Sequence, residues 1–310
     1  ENVGHVIIAK RAVQEYKEFL KSTARNRFDG LTVMLDCANG AASEIAYDVF
    51  TELGARAYPR ADEPDGININ NKCGSTHPER LQELVAESDA DAGFAFDGDA
   101  DRVIATDERG NIVDGDRIMG ICAKAMKAEG RLKKDTLVVT VMSNIGLKKR
   151  MTELGINVAE TKVGDRYVLE EMLKEGYSIG GEQSGHVIFL DKNTTGDGML
   201  TAIQVLDVMK STGRRMSALA NDIPIYPQVL VNVIVDNEIK HQAMEDQDLW
   251  QRIRDVEGKL GSSGRVLVRA SGTEPIIRVM LEGQNTDEIS DCAIYIVKVL
   301  EQKYKGKIRV

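Results

Sequence analysis

Three aspartates, Asp97, Asp99 and Asp101, alternate with small residues directly after an apolar run. Carboxylates at this spacing repel one another unless a cation lies between them. The intervening glycine and alanine are small enough for the backbone to curl until several oxygens face one point, as a hard cation such as Mg²⁺ needs. The pattern therefore favours a divalent-metal site over a solvated acidic turn.

Two other motifs contain acidic residues at similar spacing. An EF-hand loop starting at Asp97 would place its bidentate acid at Glu108, but its sixth position, which needs glycine, is Arg102. The flanks, residues 92–96 and 103–106, also predict strands rather than helices, so an EF-hand is excluded. A phosphatase with an aspartyl nucleophile also begins with a strand and Asp-x-Asp, so a phosphate-accepting Asp97 stays an alternative.

A second polar loop, Gly181-Glu-Gln-Ser-Gly-His186, follows a predicted strand. Glu182 can accept hydrogen bonds, Ser184 can donate and accept them, and His186 can titrate. Sugar hydroxyls need such a mixture, although a polar turn at a strand end explains it equally well. Upstream, residues 162–166 add cations and a glycine that permits close backbone approach, or they form a charged turn before a helix.

A third loop lies between two predicted strands near the C-terminus. Arg269 and Arg278 flank Ser271, Gly272 and Thr273. Arginine offers fork-shaped donors to phosphate oxygens, hydroxyls add donors, and glycine lets backbone N–H groups approach an anion. A plain hairpin turn explains the glycine and the following proline but not the two arginines. The loop therefore predicts phosphate binding.

The elements that carry the first two loops repeat a strand–helix pattern, which indicates an α/β architecture with ligands at strand ends. The first copy comprises a strand at 31–35, helices at 41–53 and 78–87, and the strand before Asp97. The second comprises a strand at 137–142, helices at 145–154 and 166–174, and a strand at 177–180. Asn144 matches Asn39 in the turn after the first strand of each copy.

The pattern changes after Pro227, where strands at 229–235, 265–269 and 276–282 combine with helices at 248–260 and 287–304. The predicted fold class is therefore α/β, with two related mixed-sheet α/β domains followed by a small α+β C-terminal domain. The predicted boundaries are residues 1–112 for the metal-binding domain, 113–223 for the sugar-binding domain and 224–310 for the phosphate-binding domain.

The composition excludes several classes of function. A net charge of −9 over 310 residues, without a basic stripe, argues against a nucleic-acid partner. No apolar run reaches membrane-spanning length, and a signal peptide is not expected. Four scattered cysteines suit a reducing compartment, so a cytoplasmic location is expected.

Taken together, the loops at 97–102, 181–186 and 269–275 resemble, in order and spacing, those of the α-D-phosphohexomutases. Residues 36–40, 163–168 and 193–198 look most like the bacterial phosphoglucosamine mutase branch. This resemblance implies an isomerase that interconverts glucosamine 6-phosphate and glucosamine 1-phosphate through a phosphoserine and a hexosamine bisphosphate intermediate, in amino-sugar and cell-wall precursor synthesis. Another phosphohexomutase, acting on mannose or glucose phosphates, and a non-catalytic sugar-phosphate-binding module stay as alternatives.

The resemblance also implies roles for individual residues. Asp97, Asp99 and Asp101 would hold Mg²⁺ together with the phosphoserine, which Arg102 would steady, and His186 would assist proton transfer. The implied sugar-binding residues are Gly164, Asp165, Arg166, Glu182, Ser184 and His186. The implied phosphate clamp is Arg269, Ser271, Gly272, Thr273 and Arg278.

The phosphohexomutases have four domains, and the resemblance covers the second, third and fourth. A helix at residues 9–23 resembles the passage from the first domain to the second. The catalytic serine loop has no counterpart in these 310 residues. This chain is therefore expected to be inactive alone. A sugar phosphate is the expected partner, and a homodimer is a candidate assembly.

Overall fold

The structure is a computed structural model that describes residues 11–272 and 274–309. The described residues form two compact units. Residues up to 143 and 147–224 make the first unit, and residues 144–146 and 225–309 make the second. The first contains two mixed α/β sheets and the second an antiparallel sheet, so the predicted fold class is confirmed.

The first sheet of the first unit has the strand order β2-β1-β3-β4-β5. Strands β1 and β2 are parallel, as are β1 and β3, whereas β4 is antiparallel to both of its neighbours. The strands are β1 (Thr32–Asp36), β2 (Arg56–Arg60), β3 (Ala92–Phe96), β4 (Val103–Asp107) and β5 (Ile112–Val113). The accompanying helices are α1 (Ala12–Thr23), α2 (Ala46–Glu52) and α3 (Glu79–Ala86).

The second sheet of this unit has the strand order β7-β6-β8-β9. Its strands are β6 (Thr136–Thr140), β7 (Asn157–Thr161), β8 (Ile179–Gly181) and β9 (Val187–Phe189). Its helices are α4 (Gly115–Ala128), α5 (Ile145–Glu153), α6 (Asp165–Glu175), α7 (Gly198–Thr212) and α8 (Met216–Asn221). The strand order and strand directions of this second sheet match those of β2-β1-β3-β4 in the first sheet. The predicted repeat is therefore confirmed.

One apolar core runs beneath both sheets of the first unit. Its largest buried side chains include Phe50 and Phe94, whose ring centroids lie 6.4 Å apart. Helix α7 is buried over most of its length and packs against α1, α4 and β4. The two halves therefore share their hydrophobic stabilisation, which fixes the loops of one half relative to those of the other.

The second unit has the antiparallel strand order β11-β12-β10-β13. Its elements are β10 (Gln228–Ile234), α9 (Asn237–Met244), α10 (Gln247–Leu260), β11 (Gly264–Ala270), β12 (Ile276–Gly283), α11 (Thr286–Tyr304) and β13 (Lys307–Arg309). Helices α10 and α11 pack on this sheet and enclose a separate apolar core. The third predicted loop is the tip of the hairpin formed by β11 and β12.

Several elements differ from the sequence predictions. Helix α4 has no predicted counterpart, although Ile118, Ile121, Cys122 and Met126 recur at the spacing of one helical face. Strand β2 was also missed, because Arg56, Pro59 and Arg60 suit only an edge position. The predicted helix at 41–53 is a 3₁₀ turn, Ala41–Glu44, followed by α2. The first helix was predicted from residue 9, which lies outside the described residues.

All four cysteines are buried and free of disulfide bonds. Among the described helices, none combines the length and apolar character that crossing a bilayer requires.

Asp207 on α7 anchors the connection between α1 and β1. Its carboxylate is fully buried and accepts the backbone N–H groups of Arg25, at 2.9 Å, and Asn26, also at 2.9 Å. The side-chain amide of Asn26 donates to the same carboxylate at 3.1 Å. A buried carboxylate is retained here because it completes several backbone hydrogen bonds at once.

Asp207→Ala should lower the free energy of unfolding by about 1–3 kcal/mol, because it leaves part-buried N–H donors without an acceptor. Ser211→Ala provides a matched control. It removes an exposed acceptor of the same Asn26 side chain, at 3.0 Å, and should change stability by less than about 0.5 kcal/mol. Urea unfolding followed by circular dichroism measures both variants. If Asp207→Ala had the same free energy of unfolding as the wild type, the anchoring role of Asp207 would be contradicted.

Candidate active site

The acidic loop connects β3 to β4 and brings three carboxylates together. Ligand oxygens of Asp97, Asp99 and Asp101 all lie within 4.8 Å of one another. Asp97 is buried, Asp101 is half-buried and Asp99 is exposed. The loop can therefore present oxygen atoms to a cation from the protein side while remaining open on another.

Backbone contacts curl this loop tightly. Ala100 adopts a left-handed conformation with φ of 60°, and its N–H donates to the Asp97 carbonyl at 3.1 Å. Ala41 N–H donates to the Gly98 carbonyl at 2.9 Å. A Cβ on Gly40 would lie 2.2 Å from that same carbonyl oxygen, so the turn after β1 must carry glycine at this position. The first repeat's turn thus supports the acidic loop.

The electrostatics of the loop fit a divalent cation. Burial, and then the neighbouring Asp101 carboxylate, raise the pKa of Asp97 to about 6. Arg102 offsets part of this charge, with its Nε 3.6 Å from Asp97 Oδ2 and 3.7 Å from Asp101 Oδ1. Asp101 Oδ1 is buried without a hydrogen-bond partner among the described residues. A hard cation would neutralise the excess negative charge and would coordinate the Asp101 oxygen that has no hydrogen-bond donor.

The Glu182 loop, residues 181–186 between β8 and β9, packs directly beside the acidic loop. Val103 N–H donates to the Gly185 carbonyl at 3.2 Å. Gly185 has φ of 95°, and a Cβ there would lie 2.2 Å from the Val103 carbonyl oxygen. The equivalent strand ends of the two repeats therefore meet at one place, as open α/β sheets predict.

Glu182 joins its loop to the turn before α6. Its Oε1 accepts Gly164 N–H at 2.9 Å, and its Oε2 accepts the Ser184 hydroxyl at 3.3 Å. Asp165 and Arg166, next to this turn, are exposed, and Arg166 Nε donates to Glu170 at 2.7 Å. The structure thus brings the predicted sugar-binding residues of 164–166 and 182–184 into one polar surface.

His186 points into the acidic loop. The residue is 4% exposed, and its Nδ1 lies 3.1 Å from Asp101 Oδ2. Its Nε2 accepts the backbone N–H of Gly196 at 3.1 Å. Both ring nitrogens therefore have protein partners. The predicted role of His186 in proton transfer stays a prediction.

Residues 193–198, the support segment, are a part of the site that motif chemistry alone did not assign. Gly198 N–H donates to the Ala100 carbonyl of the acidic loop at 2.9 Å. Asp197 accepts the Tyr16 hydroxyl at 2.8 Å and caps α7 through Leu200 N–H at 2.9 Å. A glycine-flanked aspartate directly before a helix was the available sequence signal, but it does not reveal the partner loop.

The phosphate loop, residues 269–275, belongs to the second unit. Arg269 and Arg278 are directly opposite each other on β11 and β12. Burial, and then the charge of Arg278, lower the pKa of Arg269. Arg278 donates to Glu274 at 2.9 Å, while its buried Nε lacks a partner among the described residues. Like charges placed opposite each other destabilise a hairpin, and a bound anion would relieve that repulsion.

Lys240 on α9 supports this loop and was missed by sequence reasoning. Its ammonium group is buried and donates to the carbonyls of Ser271, at 2.6 Å, and Glu274, at 3.1 Å. The Ser271 hydroxyl accepts Glu274 N–H at 3.2 Å, and Gly272 is exposed at the tip. Thr273 lies outside the described residues. No local motif marks a lysine so far upstream as a loop support.

Comparison with known proteins gives matches over most of the chain. Family models of phosphoglucomutase/phosphomannomutase match residues 13–110 (alpha/beta/alpha domain II), 114–226 (alpha/beta/alpha domain III) and 230–299 (C-terminal domain). The chain belongs to the phosphoglucomutase/phosphomannomutase family. The sequence-based assignment to the phosphohexomutases is thereby confirmed.

Curated relatives within this family include a phosphoglucosamine mutase from Clostridium perfringens. It is 55% identical over 302 residues, which cover 97% of this chain and 67% of the relative. A phosphoglucosamine mutase from Thermoanaerobacter sp. is 54% identical over 290 residues, or 94% of this chain and 65% of the relative. The chain thus spans about two thirds of the length of these relatives.

Solved structures share the fold of this chain. A phosphoglucomutase/phosphomannomutase family protein from Burkholderia thailandensis has a TM-score of 0.80 at 22% identity, covering 96% of this chain and 66% of that one. Aspergillus fumigatus N-acetylphosphoglucosamine mutase, solved with GlcNAc-6P and magnesium, has a TM-score of 0.77 at 20% identity, covering 93% and 70%. Sequence identities of 22% and 20% show that these proteins share the fold of this chain, and no more than the fold.

The pKa of Asp97 predicts how stability without metal depends on pH. The folded chain holds this proton up to about pH 6, whereas an unfolded aspartate loses it near pH 4. The folded state therefore binds more protons between these values. This contribution to stability is complete below about pH 4 and is lost as pH rises to about 6.

Asp97→Asn should make the decline in unfolding free energy between these pH values shallower. Urea unfolding in the presence of a chelator measures it, with Asp89→Asn at an exposed position as the control. If the unfolding free energy fell equally between about pH 4 and 6 in the wild type and in Asp97→Asn, the raised pKa of Asp97 would not be the cause of the decline.

Proposed function

We propose that this chain is the metal- and sugar-phosphate-binding part of a phosphoglucosamine mutase, which interconverts glucosamine 6-phosphate and glucosamine 1-phosphate. The observation that carries the proposal is the meeting of the acidic loop, Arg102 and the Glu182 loop at one edge of the first unit. The glucosamine substrate is supported by relatives of that name, from Clostridium novyi at 50% identity to Caldanaerobacter subterraneus at 56%.

The proposal assigns Mg²⁺ to Asp97, Asp99 and Asp101. When bound there, Mg²⁺ supplies charge neutralisation for a transferring phosphoryl group. Support comes from the convergence of the three carboxylates and from the unpaired Asp101 Oδ1. Arg102, which is exposed beside these carboxylates, would orient a phosphate group of the phosphoserine or substrate by its guanidinium.

The sugar is assigned to the polar surface around Glu182. The half-exposed Glu182 carboxylate and the exposed Ser184 hydroxyl can bind hydroxyl groups, and Gly164, Asp165 and Arg166 form the adjoining turn. The phosphate that is not transferred is assigned to Arg269, Ser271, Gly272, Thr273 and Arg278. Because phosphoryl transfer depends mainly on positioning and charge, the phosphate clamp would act by binding the phosphate of the hexosamine bisphosphate that is not transferred.

The assignment divides the chain into three domains, at residues 1–112, 113–223 and 224–310. Each of these carries most of one sheet, and Val113 of β5 is the first-sheet residue beyond the boundary at 112. A cytoplasmic location is proposed because four free, buried cysteines suit a reducing compartment. A homodimer is proposed from the family resemblance alone.

Turnover tests the proposed reaction. This chain alone should give background conversion of glucosamine 6-phosphate with Mg²⁺ and a hexosamine bisphosphate, because its 310 residues contain no counterpart of the catalytic serine loop. A longer polypeptide that joins a domain with the catalytic serine loop to residue 1 should turn over. Asp99→Asn in that polypeptide should lower kcat by about 100-fold or more.

Phosphorus NMR of the two glucosamine phosphates measures both rates, and the same assay with mannose and glucose 6-phosphates measures specificity. Preference for mannose or glucose phosphate would contradict the substrate assignment. Clear turnover by this chain alone would contradict the need for the serine.

Sugar-phosphate binding without turnover is a second candidate function for this chain by itself, since the phosphate loop lies in a unit with its own core. Arg269→Gln and Arg278→Gln should each weaken binding of glucosamine 6-phosphate about tenfold or more, because each removes a charged donor. Lys240→Met should weaken it by a smaller factor, since it acts through the loop carbonyls.

Isothermal titration calorimetry measures these affinities. Lys298→Met, at an exposed position on α11, is the control and should bind as the wild type does. Unchanged affinity in both arginine variants would contradict the phosphate clamp.

A further inference from the structure

His186 has a defined hydrogen-bonding direction. The backbone N–H of Gly196 can only donate, so Nε2 of the ring must accept that hydrogen bond, at 3.1 Å. In this tautomer the ring hydrogen is on Nδ1, which then donates to Asp101 Oδ2 at 3.1 Å. A backbone amide of the support segment thereby fixes which ring nitrogen faces the acidic loop.

We propose that His186 is a positioning residue that orients Asp101 as a metal ligand, with Gly196 fixing its tautomer. The proposal rests on the Mg²⁺ site of the proposed function. A hydrogen bond at one carboxylate oxygen, Oδ2, restricts rotation of the carboxylate and leaves the other oxygen, Oδ1, for the metal. Such outer ligand contacts raise metal affinity by holding the inner ligands in place.

The surroundings of Asp101 Oδ1 support different roles for the two carboxylate oxygens. Oδ1 is buried, lies 3.7 Å from Arg102 Nε and has no hydrogen-bond partner among the described residues. A buried carboxylate oxygen without a partner is unfavourable unless it binds a ligand. The two oxygens of Asp101 thus differ in hydrogen bonding, because His186 donates to Oδ2 and not to Oδ1.

The support segment is shaped to hold the imidazole. A Cβ on Gly196 would lie 2.5 Å from both Cε1 and Nε2 of His186, so a larger residue would displace the ring. Two residues later, Gly198 binds the acidic loop itself through Ala100. Asp197 between them is held by the Tyr16 hydroxyl and by the first turn of α7. The ring is therefore backed by a segment fixed at both ends.

The experiment uses this 310-residue chain and Mg²⁺ alone. The melting temperature, followed across a titration with MgCl₂, gives an apparent Kd by mass action. His186→Gln places its amide near the position of Nε2 and should weaken Mg²⁺ binding by about 10- to 100-fold. His186→Asn places an N–H donor near the position of Nδ1, so it should stay within about threefold of the wild type.

Two further variants test the connections. Gly196→Ala should weaken Mg²⁺ binding as much as His186→Gln does, because its Cβ displaces the ring. His77→Gln, at an exposed histidine, should leave Mg²⁺ affinity unchanged. Circular dichroism in a chelator verifies that each variant folds.

A second readout does not depend on metal. Nitrogen-15 NMR of the imidazoles, with His186 assigned from the His186→Asn spectrum, should show hydrogen on Nδ1 in the chelated wild type. The Gly196→Ala variant should lose that preference. A wild-type ring with its hydrogen on Nε2 would overturn the proposal.

The outcomes separate this inference from the proposed function. If the wild type binds Mg²⁺ and His186→Gln binds it equally well, the positioning role is overturned while the metal site stands. If the wild type does not bind Mg²⁺, both are overturned. Loss of affinity in His186→Gln together with its retention in His186→Asn supports the hydrogen bond rather than simple filling of space.

Discussion

The repulsion among three carboxylates in one short loop is the constraint on which the rest of the first unit depends. Ligand oxygens of Asp97, Asp99 and Asp101 are held within 4.8 Å of one another, although burial already disfavours the charge on Asp97. The hydrogen bond inside the loop, from Ala100 N–H to the Asp97 carbonyl, is supplemented by contacts from other segments. The loop is held by backbone contacts from three directions, namely the turn after β1, the Glu182 loop and the support segment.

Close backbone approach explains why glycines surround the acidic loop. The two repeats meet there through backbone hydrogen bonds, and Gly40 and Gly185 leave no room for a Cβ. A shared apolar core fixes the two halves well enough for such tight contacts to persist. The acidic loop comes from one repeat and the Glu182 loop from the other, so the candidate site exists only because equivalent strand ends are brought together.

The second unit applies the same electrostatic principle with the opposite sign. Arg269 and Arg278 are paired across a hairpin, where their mutual repulsion is relieved only in part by Glu274. Lys240 adds a buried cation behind the loop and ties its carbonyls in place. Positive charge concentrated beside a hairpin tip is suited to a phosphate dianion, just as concentrated carboxylates are suited to a divalent cation.

The sequence by itself determined the α/β repeat, the C-terminal α+β unit and the three polar loops at 97–102, 181–186 and 269–275. Periodicity, turn residues and alternating charges are local signals, so they can be read without the tertiary structure. The prediction omitted α4, although its apolar residues stand at helical spacing, and β2, whose arginines and proline suit an edge strand. Only the tertiary structure decided that Gly196 orients His186 and that Lys240 holds the phosphate loop. These contacts join segments far apart along the chain. Their partners are selected by packing of the whole unit, which no local pattern encodes.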